Sequence, residues 1–458
     1  MSSILLVSWI LPLLLGALWL GLLARPRDAG AGLLFGGLSY GLGLGLLGSA
    51  FFPWMLAWGP RAAGFAVALF GISILAVLLL RRKCRAQAWL TAAGPSPNRA
   101  LMLIALALLA IAVALFLLEA RRLPHGQYDA WIFWNMRARF LFRAGEEWRQ
   151  AFSWRTTHGT YPLLLPSIVV QAWNTLARES IQATQWIAAA YAVATLAVLG
   201  GSLRILDGKS QGWLGAALLL GQPFFAIHAA SLCADVPIGF YFLATFVLAA
   251  LYDRDPKKNR AWMLLAGISA GMAAWTKVEG VIFVLALVGA KLLTTLVERR
   301  FRALWREGLP FGLGLLPWVA MYSYFRWSLP DRPPPMPGAA ALPGLTLFQK
   351  ILDPQRHWII AKSFYREIWW HPDHFILGPI ILLALFAFVF WRRRTGDRSW
   401  RCSALALALL IGGYFGAYLL SPFDLRWHLD QSLNRLLLQA WPSMVFLVLL
   451  RNSSESRS

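Results

Sequence analysis

The sequence has few charged residues and almost no cysteine. Charged residues fill 14% of its 458 positions and hydrophobic residues fill 58%, whereas roughly a quarter of the residues in ordinary soluble domains are charged. A water-soluble surface cannot be built from this supply, so a soluble globular protein is excluded. The cysteines are Cys84, Cys233 and Cys402; they are far apart and indicate neither a disulfide framework nor a zinc site, and we expect them to be packing residues.

Patterns for nucleotide and nucleic acid binding are also absent. The chain has no GxxxxGKS or GxxxxGKT loop, and the glycines Gly41, Gly43, Gly45 and Gly48 lie inside an apolar run, where they favour close helix packing. The net charge is +22, but the basic residues form short clusters between apolar runs and not one basic face. We therefore expect no nucleic acid partner.

Apolar runs recur from Ile4 to Leu450, and about 20 such residues suffice to cross the hydrocarbon core of a membrane. They predict an all-α polytopic membrane protein, embedded in the lipid bilayer, with about 13 transmembrane helices. We place these helices approximately at residues 4–23, 31–52, 62–80, 100–119, 182–203, 212–230, 236–252, 261–276, 280–297, 309–327, 375–391, 402–420 and 434–450.

Basic clusters predict the orientation of these spans. In this scheme the clusters all fall on one side, which the positive-inside rule makes the cytoplasm. Two larger loops, 120–181 and 328–374, are then extracytoplasmic, and we expect a plasma (inner) membrane protein with its active site on that outer side. Residues 357–374 are predicted to form a short helix on the membrane surface. The basic clusters lie at residues 25–27, 81–85, 254–260, 299–306 and 392–401.

Residues 162–176 form an apolar run that does not fit as a span. A crossing here would invert the side of every later loop and move two basic clusters outside. The run is short, contains Pro162 and Pro166, and carries Trp173, which is typical of a headgroup boundary. We therefore lay this run in the membrane interface or make it re-entrant.

Asp129 lies among aromatic residues in the stretch 125–139, directly after a predicted span. Arg137 and Arg139 follow it along a predicted helix. A partly desolvated carboxylate at a water–membrane boundary is a candidate general base for a hydroxyl group. A helix cap or a salt bridge to an arginine is the structural alternative.

Further polar elements fall on the same predicted side. Lys277 and Glu279 interrupt an apolar stretch, where a charge at mid-membrane is costly. They mark a hairpin turn closed by a Lys–Glu pair, a polar site, or both, and an ammonium at the outer boundary suits a lipid phosphate. Arg435, at the mouth of the last span, can bind phosphate in a bidentate manner or extend to the surface. The other elements are His158–Pro162, Cys233–Pro237 and Phe423–Asn434.

At these residues the sequence resembles the GT-C class of glycosyltransferases, close to bacterial relatives of protein O-mannosyltransferases and of the aminoarabinose lipid A transferase. Asp129 matches the acidic residue that follows the first core span of that class. His158–Pro162 resembles the loop that lines its site, and Asp235 resembles the acidic residue of its second outer loop. Residues 271–277 resemble the helix end that carries a lysine near the donor.

The resemblance implies a division of the chain and a chemistry. Enzymes of this class transfer a sugar, with inversion, from a polyprenyl-phosphate donor to an extracytoplasmic acceptor that is a lipid, a glycan or a protein. Asp129 and Asp235 are then the catalytic residues, while Lys277, Arg137 and Arg435 bind the donor phosphate. The implied regions are three N-terminal helices in 1–99, a seven-helix catalytic module with the first outer loop in 100–330, and the second outer loop with C-terminal helices in 331–458. The residues expected to line the site are Tyr128, Trp131, His158, Tyr161, Glu279 and His428.

The cofactor and one other function class stay open. The usual Asp-Glu pair of the class is Asp129-Ala130 here, so no cofactor is certain and a divalent metal remains an alternative. A transporter or flippase of a lipid-linked saccharide is the second function class. It predicts paired discontinuous helices from internal repeats, and the sequence shows no repeat.

Overall fold

In the computed structural model, the described residues are 2–61, 63–81, 88–91, 96–152, 159–254, 260–329, 346–370 and 398–450. Their regular structure is helical apart from two strands, β1 (Ala24–Pro26) and β2 (Ala88–Leu90), which pair in parallel. The prediction of an all-α polytopic membrane protein is therefore confirmed at the level of helical content and apolar helices.

The helices vary from single turns to 30 residues. Their bounds are α1 Ser2–Leu5, α2 Leu11–Leu20, α3 Ala29–Trp58, α4 Phe65–Arg81, α5 Arg99–Arg122, α6 Asn135–Arg143, α7 Leu164–Leu176, α8 Ile181–Leu206, α9 Lys209–Leu220, α10 Pro223–Ala230, α11 Asp235–Arg254, α12 Arg260–Thr276, α13 Val278–Glu298, α14 Phe301–Ala303, α15 Leu309–Ser328, α16 Leu347–Leu352, α17 Pro354–Trp370, α18 Arg398–Leu419 and α19 Leu425–Leu449. The π-helical turns are Leu6–Ile10, Ala130–Trp134 and Leu304–Gly308, and a 3₁₀ helix covers Gly145–Phe152.

Eight helices of the described chain are long and apolar enough to cross a membrane, or nine if a bent pair counts as one span. The predicted spans at 62–80, 261–276 and 309–327 are helical as α4, α12 and α15, but they are not among the eight. The predicted span at 375–391 lies outside the described residues. The number 13 thus remains a prediction.

The predicted span at 212–230 is helical but bent. The structure divides it into α9 and α10, whose axes meet at 68°. The break falls at Gly221–Pro223, where proline removes a backbone N–H and excludes a continuous helix. α10 therefore turns toward the start of α11 instead of continuing along α9.

The bundle is organised around α11, whose 18-residue apolar window is 89% buried, whereas that of α5 is only 11% buried. α11 packs against α8, α12 and α19. The glycines of α3 permit close packing as predicted: a Cβ on Gly43 would lie 1.9 Å from the Pro12 carbonyl oxygen, and one on Gly41 would lie 2.1 Å from the Phe240 ring. Small residues thus bring backbones and rings together where larger ones cannot.

Helix α7 corresponds to the apolar run that we placed in the membrane interface or made re-entrant. Residues Leu164–Trp173 are all buried within the protein, and α7 packs on α3 and α6. The Trp173 side chain is buried within the protein, and its Nε1 donates to the Ser180 carbonyl at 3.0 Å; its depth relative to the headgroups stays a prediction. The short apolar helix packs inside the protein.

Loops that were predicted to lie on the same side of the membrane contact one another in pairs. We call the end of the bundle that carries the basic clusters its basic end. At the basic end, β1 and β2 pair and Arg401 Nη2 lies 3.0 Å from Glu298 Oε1. At the other end, Arg61 Nε donates to the Phe142 carbonyl at 2.6 Å, and Lys350 Nζ donates to the Ser421 carbonyl at 3.0 Å. Which end faces the cytoplasm stays a prediction.

Candidate functional site

A cluster of charged side chains is centred on Asp235, the first residue of α11, whose side chain is 1% exposed. Asp235 Oδ1 accepts hydrogen bonds from Lys277 Nζ at 3.0 Å and from Gln439 Nε2 at 2.7 Å. Oδ2 accepts from Arg435 Nε at 2.9 Å and from Arg435 Nη2 at 2.8 Å. Because a carboxylate offers about four lone-pair sites, these donors saturate Asp235. The N-terminal end of a helix also favours an anion there.

Lys277 lies between α12 and α13 and connects two carboxylates. Its Nζ binds Asp235 and lies 2.8 Å from Glu279 Oε1. The Lys–Glu pair that closes a hairpin turn and the polar cluster are therefore both present. Burial lowers the pKa of the Lys277 ammonium, but the charges of Asp235 and Glu279 raise this pKa by more, so that Lys277 stays protonated.

Arg435 connects Asp235 with Asp129. While Nε and Nη2 bind Asp235, Nη1 donates to Asp129 Oδ2 across a sequence separation of 306 positions. The side chain of Asp129 caps no backbone N–H of the helical turn that follows it, so the cap alternative is wrong. The salt-bridge alternative holds, with Arg435 as the partner. At 17% exposure the Arg435 side chain is held in the cluster and does not extend to the surface.

The backbone around Gly126 docks Asp129 onto the start of α11. Gln127 N donates to the Ser231 carbonyl at 3.0 Å, in the turn just before Asp235. Gly126 has a φ of +79°, and a Cβ there would lie 2.3 Å from the same Ser231 oxygen. Only glycine allows this approach without strain. One close backbone contact thus places the two carboxylates on either side of Arg435.

The charges of the cluster do not cancel. Asp129, Asp235 and Glu279 supply three carboxylates, and Lys277 and Arg435 supply two cations, which leaves one net negative charge when all are ionised. The side chain of Asp129 is 26% exposed, against 1% for Asp235. Asp129 therefore forms the solvent-accessible rim of the cluster, and Asp235 forms its buried centre.

Aromatic residues border the cluster. Tyr161 is partly buried beside Trp134, with ring centroids 5.5 Å apart. Burial, followed by the charge of Glu279, raises the pKa of Tyr161 to about 12, so it stays a neutral phenol. Arg137 is buried and its Nη1 donates to the Tyr161 carbonyl; burial lowers the pKa of Arg137 to about 10, and the guanidinium stays charged at neutral pH. Arg137 supports the Tyr161 segment, and its assignment to a donor phosphate stays a prediction.

The other predicted lining residues differ in position. Tyr128 and Trp131 flank Asp129 in sequence but are exposed at the surface. His428 lies two helical turns before Arg435, and its Nδ1 is 2.8 Å from Ser421 Oγ. His158 lies outside the described residues. Of the predicted site residues, the structure joins Asp129, Asp235, Lys277, Glu279 and Arg435 by direct contacts.

The prediction from sequence missed two buried polar residues of the site. Gln439 is fully buried, binds Asp235, and accepts from the Tyr414 hydroxyl at 3.2 Å; its position four residues after Arg435 on an apolar helix was a usable signal. His228 is buried at the end of α10, close enough to Asp235 for an electrostatic interaction. Among the described residues, neither of its ring nitrogens has a hydrogen-bond partner.

Two further polar atoms near the cluster are buried without a partner in the described part of the chain: Glu279 Oε2 and Trp134 Nε1. Buried polar atoms are nearly always hydrogen-bonded, so each of these atoms has unused hydrogen-bonding capacity. The described residues contain no group of three or more His, Cys, Asp or Glu side chains arranged to hold a metal ion. The question of a divalent metal stays open.

Comparisons of the chain with protein-family models, with curated proteins and with solved structures find no match.

Proposed function

We propose that the protein is a membrane glycosyltransferase that moves a sugar from a polyprenyl-phosphate donor to an extracytoplasmic acceptor, with inversion, on a GT-C-like fold of 13 spans in the plasma membrane. One observation carries the proposal: five ionisable side chains from distant parts of the chain meet at one end of an otherwise apolar bundle. These residues are Asp129, Asp235, Lys277, Glu279 and Arg435. Charges in such surroundings are costly and typically functional.

Asp129 is the better candidate for the general base. A base must have an oxygen free to accept the proton of the attacking hydroxyl. Asp235 is saturated by four donors, whereas Asp129, at the rim, accepts one hydrogen bond within the described part of the chain, from Arg435 Nη1. We therefore assign proton acceptance to Asp129 and assign to Asp235 the positioning of Lys277 and Arg435.

Lys277 and Arg435 are the groups that stabilise the phosphate. Charge develops on the bridging oxygen as the donor bond breaks, and preorganised cations at that point lower the barrier. In the resting cluster one Arg435 N–H is bound to Asp129. Donor phosphate competes for this N–H, and its binding frees the Asp129 carboxylate for the acceptor.

The reaction is a single displacement at the anomeric carbon. The acceptor oxygen forms a bond to that carbon, the bond from the carbon to the phosphate oxygen breaks, and the configuration inverts. The hydroxyl proton goes to Asp129, and polyprenyl phosphate leaves with the electron pair. A phosphate leaving group needs no general acid. We assign Glu279 Oε2, which is buried without a partner among the described residues, to accept a hydrogen bond from a sugar hydroxyl.

The test is transfer from labelled polyprenyl-phosphate sugars in membranes that contain equal amounts of each variant. Asp129→Asn keeps the size of the side chain but removes its basicity, so we expect transfer to fall by about 10²–10⁴-fold with normal accumulation. Asp430→Asn is the matched control, because Asp430 is also paired with an arginine but is exposed; it should stay within a few fold of wild type. Near-normal transfer by Asp129→Asn would remove the base assignment.

Transport of a lipid-linked saccharide is supported by one feature, the bent pair α9–α10. Discontinuous helices are typical of transporters, but a repeat architecture provides two equivalent pairs, and the described residues contain one. The same membranes decide between the two functions. Movement of the labelled saccharide across sealed vesicles without transfer to any acceptor would favour a transporter.

A further inference from the structure

A cavity lies away from the charged cluster. It has a volume of about 260 Å³ and is enclosed by α11, α12, α13, α15 and the start of α18. Its residues on α11 run from Thr245 to Asp253. They follow Asp235 by 10 to 18 positions, which at about 1.5 Å per residue places them roughly 15–27 Å further along the helix. The cavity is therefore at the basic end of the bundle.

Small side chains create this space. Helices α12 and α15 pack tightly where glycines meet backbone, since a Cβ on Gly267 would lie 2.0 Å from the Phe311 carbonyl oxygen. Beside this contact the cavity is lined by Ala249, Ala266 and Gly312. A Cβ on Gly312 would meet no atom within 4 Å. The close backbone contact fixes the distance between α12 and α15. The short side chains beside it leave a gap unfilled.

The mouth of the cavity faces the hydrocarbon region. Val288 and Leu292 line the cavity and are 40% and 48% exposed. Both lie on α13, whose apolar window has a mean hydropathy of 2.3 and is only 28% buried. An exposed apolar face on such a helix is a bilayer-facing face. An apolar chain can therefore enter from the membrane without crossing water.

Charged residues at the basic end of the cavity indicate which lipid head group would bind there. Asp253, Lys291 and Glu307 line the cavity, and Lys291 forms an ion pair with Glu307. The adjoining segment 298–307 contains four arginines and two glutamates, a net charge of two positive units. Arginines at the end of a bilayer-facing helix attract anionic lipid head groups.

We propose that this cavity binds one acyl chain of an anionic phospholipid, with the phosphate of that lipid at the arginine-rich segment 298–307. An apolar cavity of about 150 Å³ stays free of water and binds benzene, so a cavity of about 260 Å³ has room for a longer stretch of hydrocarbon. The site is independent of the transferase proposal, because its residues lie at the opposite end of the bundle.

Native mass spectrometry of the detergent-solubilised full chain tests the site. Phosphatidylglycerol and phosphatidylcholine with identical acyl chains are the two probes. We expect one phosphatidylglycerol per chain to be retained, with roughly tenfold preference over phosphatidylcholine. The Arg300→Gln/Arg302→Gln variant leaves the cavity intact and should lose this preference. Equal retention of both lipids by the wild-type chain would contradict the charge argument.

Variants that fill the cavity distinguish a lipid bound inside it from lipids that adhere elsewhere on the protein. Gly312→Phe places a ring at the mouth, and Gly412→Phe is the matched control, since a Cβ on either glycine meets no atom within 4 Å but Gly412 is not among the cavity-lining residues. We expect Gly312→Phe to abolish the retained lipid and Gly412→Phe to keep it. Ala249→Phe fills the cavity from the opposite wall and should act like Gly312→Phe. Retention of the lipid at wild-type occupancy by both filled variants would overturn the proposal.

Discussion

Removal of one partner from the buried ion pair between Arg435 and Asp235 should destabilise the fold far more than removal of one partner from an exposed pair of the same chemistry. Arg435→Gln removes a cation that makes two hydrogen bonds to Asp235, at 2.8 and 2.9 Å. Asp235 is 1% exposed, so water cannot replace the lost donors. The net charge of the cluster also changes from one to two negative units.

The expected cost follows from this burial. Removal of one partner from a buried ion pair costs about 3–5 kcal/mol, because the remaining charge stays desolvated. Since Lys277 and Gln439 still bind Asp235, we expect the lower value, about 3 kcal/mol. The control is Arg366→Gln, which breaks the Arg366–Asp430 pair at 59% and 56% exposure. Exposed pairs contribute about 0–1 kcal/mol.

The assay heats detergent-solubilised protein and follows the fraction that remains monodisperse by size-exclusion chromatography with tryptophan fluorescence. The midpoint should fall by several degrees for Arg435→Gln and by no more than about one degree for Arg366→Gln. Asp235→Asn combined with Arg435→Gln removes both charges and should recover part of the loss. Equal midpoints for the two single variants, or no recovery in the double variant, would refute the reasoning.

Other features of the site make separate predictions. Gly126→Ala should reduce accumulation and transfer more than Gly145→Ala, as measured on membranes, because both glycines have positive φ but only Gly126 lies against backbone. Burial raises the pKa of the Cys233 thiol to about 11, so maleimide should label Cys233 in the unfolded but not the native protein at pH 8, as read by peptide mass spectrometry. Because the folded protein holds the Cys233 thiol proton more tightly than the unfolded chain does, the protonated thiol contributes to stability. This contribution is complete below about pH 8.5 and is lost as the pH rises through about 11. Gln439→Leu should lower the melting midpoint less than Arg435→Gln, because it removes one neutral donor from Asp235 and no charge.

The helices and the polar residues of the site were largely predictable from sequence. Asp235, Lys277 and Arg435 stand in apolar surroundings where a charge is costly, and this contrast identifies them without any structure. The partners were not predictable, because hydrophobic patterns report local burial and carry no information about contacts across 306 positions. The sequence therefore indicated a salt bridge from Asp129 to an arginine without identifying Arg435 as the partner.

The packing of α7 and the bend between α9 and α10 were not predicted, for a related reason. The interior of a membrane protein and the bilayer are both apolar, so the composition of α7 could not distinguish a helix buried in protein from one at the interface. Its thirteen residues are too few to span, and that length was the usable signal. The sequence signal for the bend between α9 and α10 was clearer, since Gly221 and Pro223 together interrupt a helix.

The charge balance of the cluster leads to a prediction that separates donor binding from catalysis. A phosphate approaches a group with one net negative charge, in which Asp129 occupies one N–H of Arg435. Asp129→Asn makes the cluster neutral and weakens the hold on that N–H. We therefore expect this variant to bind polyprenyl-phosphate sugar at least as tightly as wild type, and up to roughly tenfold more tightly, although its sugar transfer falls by about 10²–10⁴-fold.

Equilibrium binding of labelled donor to protein in nanodiscs measures this effect. Asp430→Asn also removes a carboxylate near the same end of the bundle, but Asp430 is exposed and paired with Arg366 outside the cluster, so its donor affinity should not change. If Asp129→Asn binds donor more weakly than wild type, Asp129 contacts the donor itself. The competition between Asp129 and phosphate for Arg435 is then wrong, even if the loss of transfer persists.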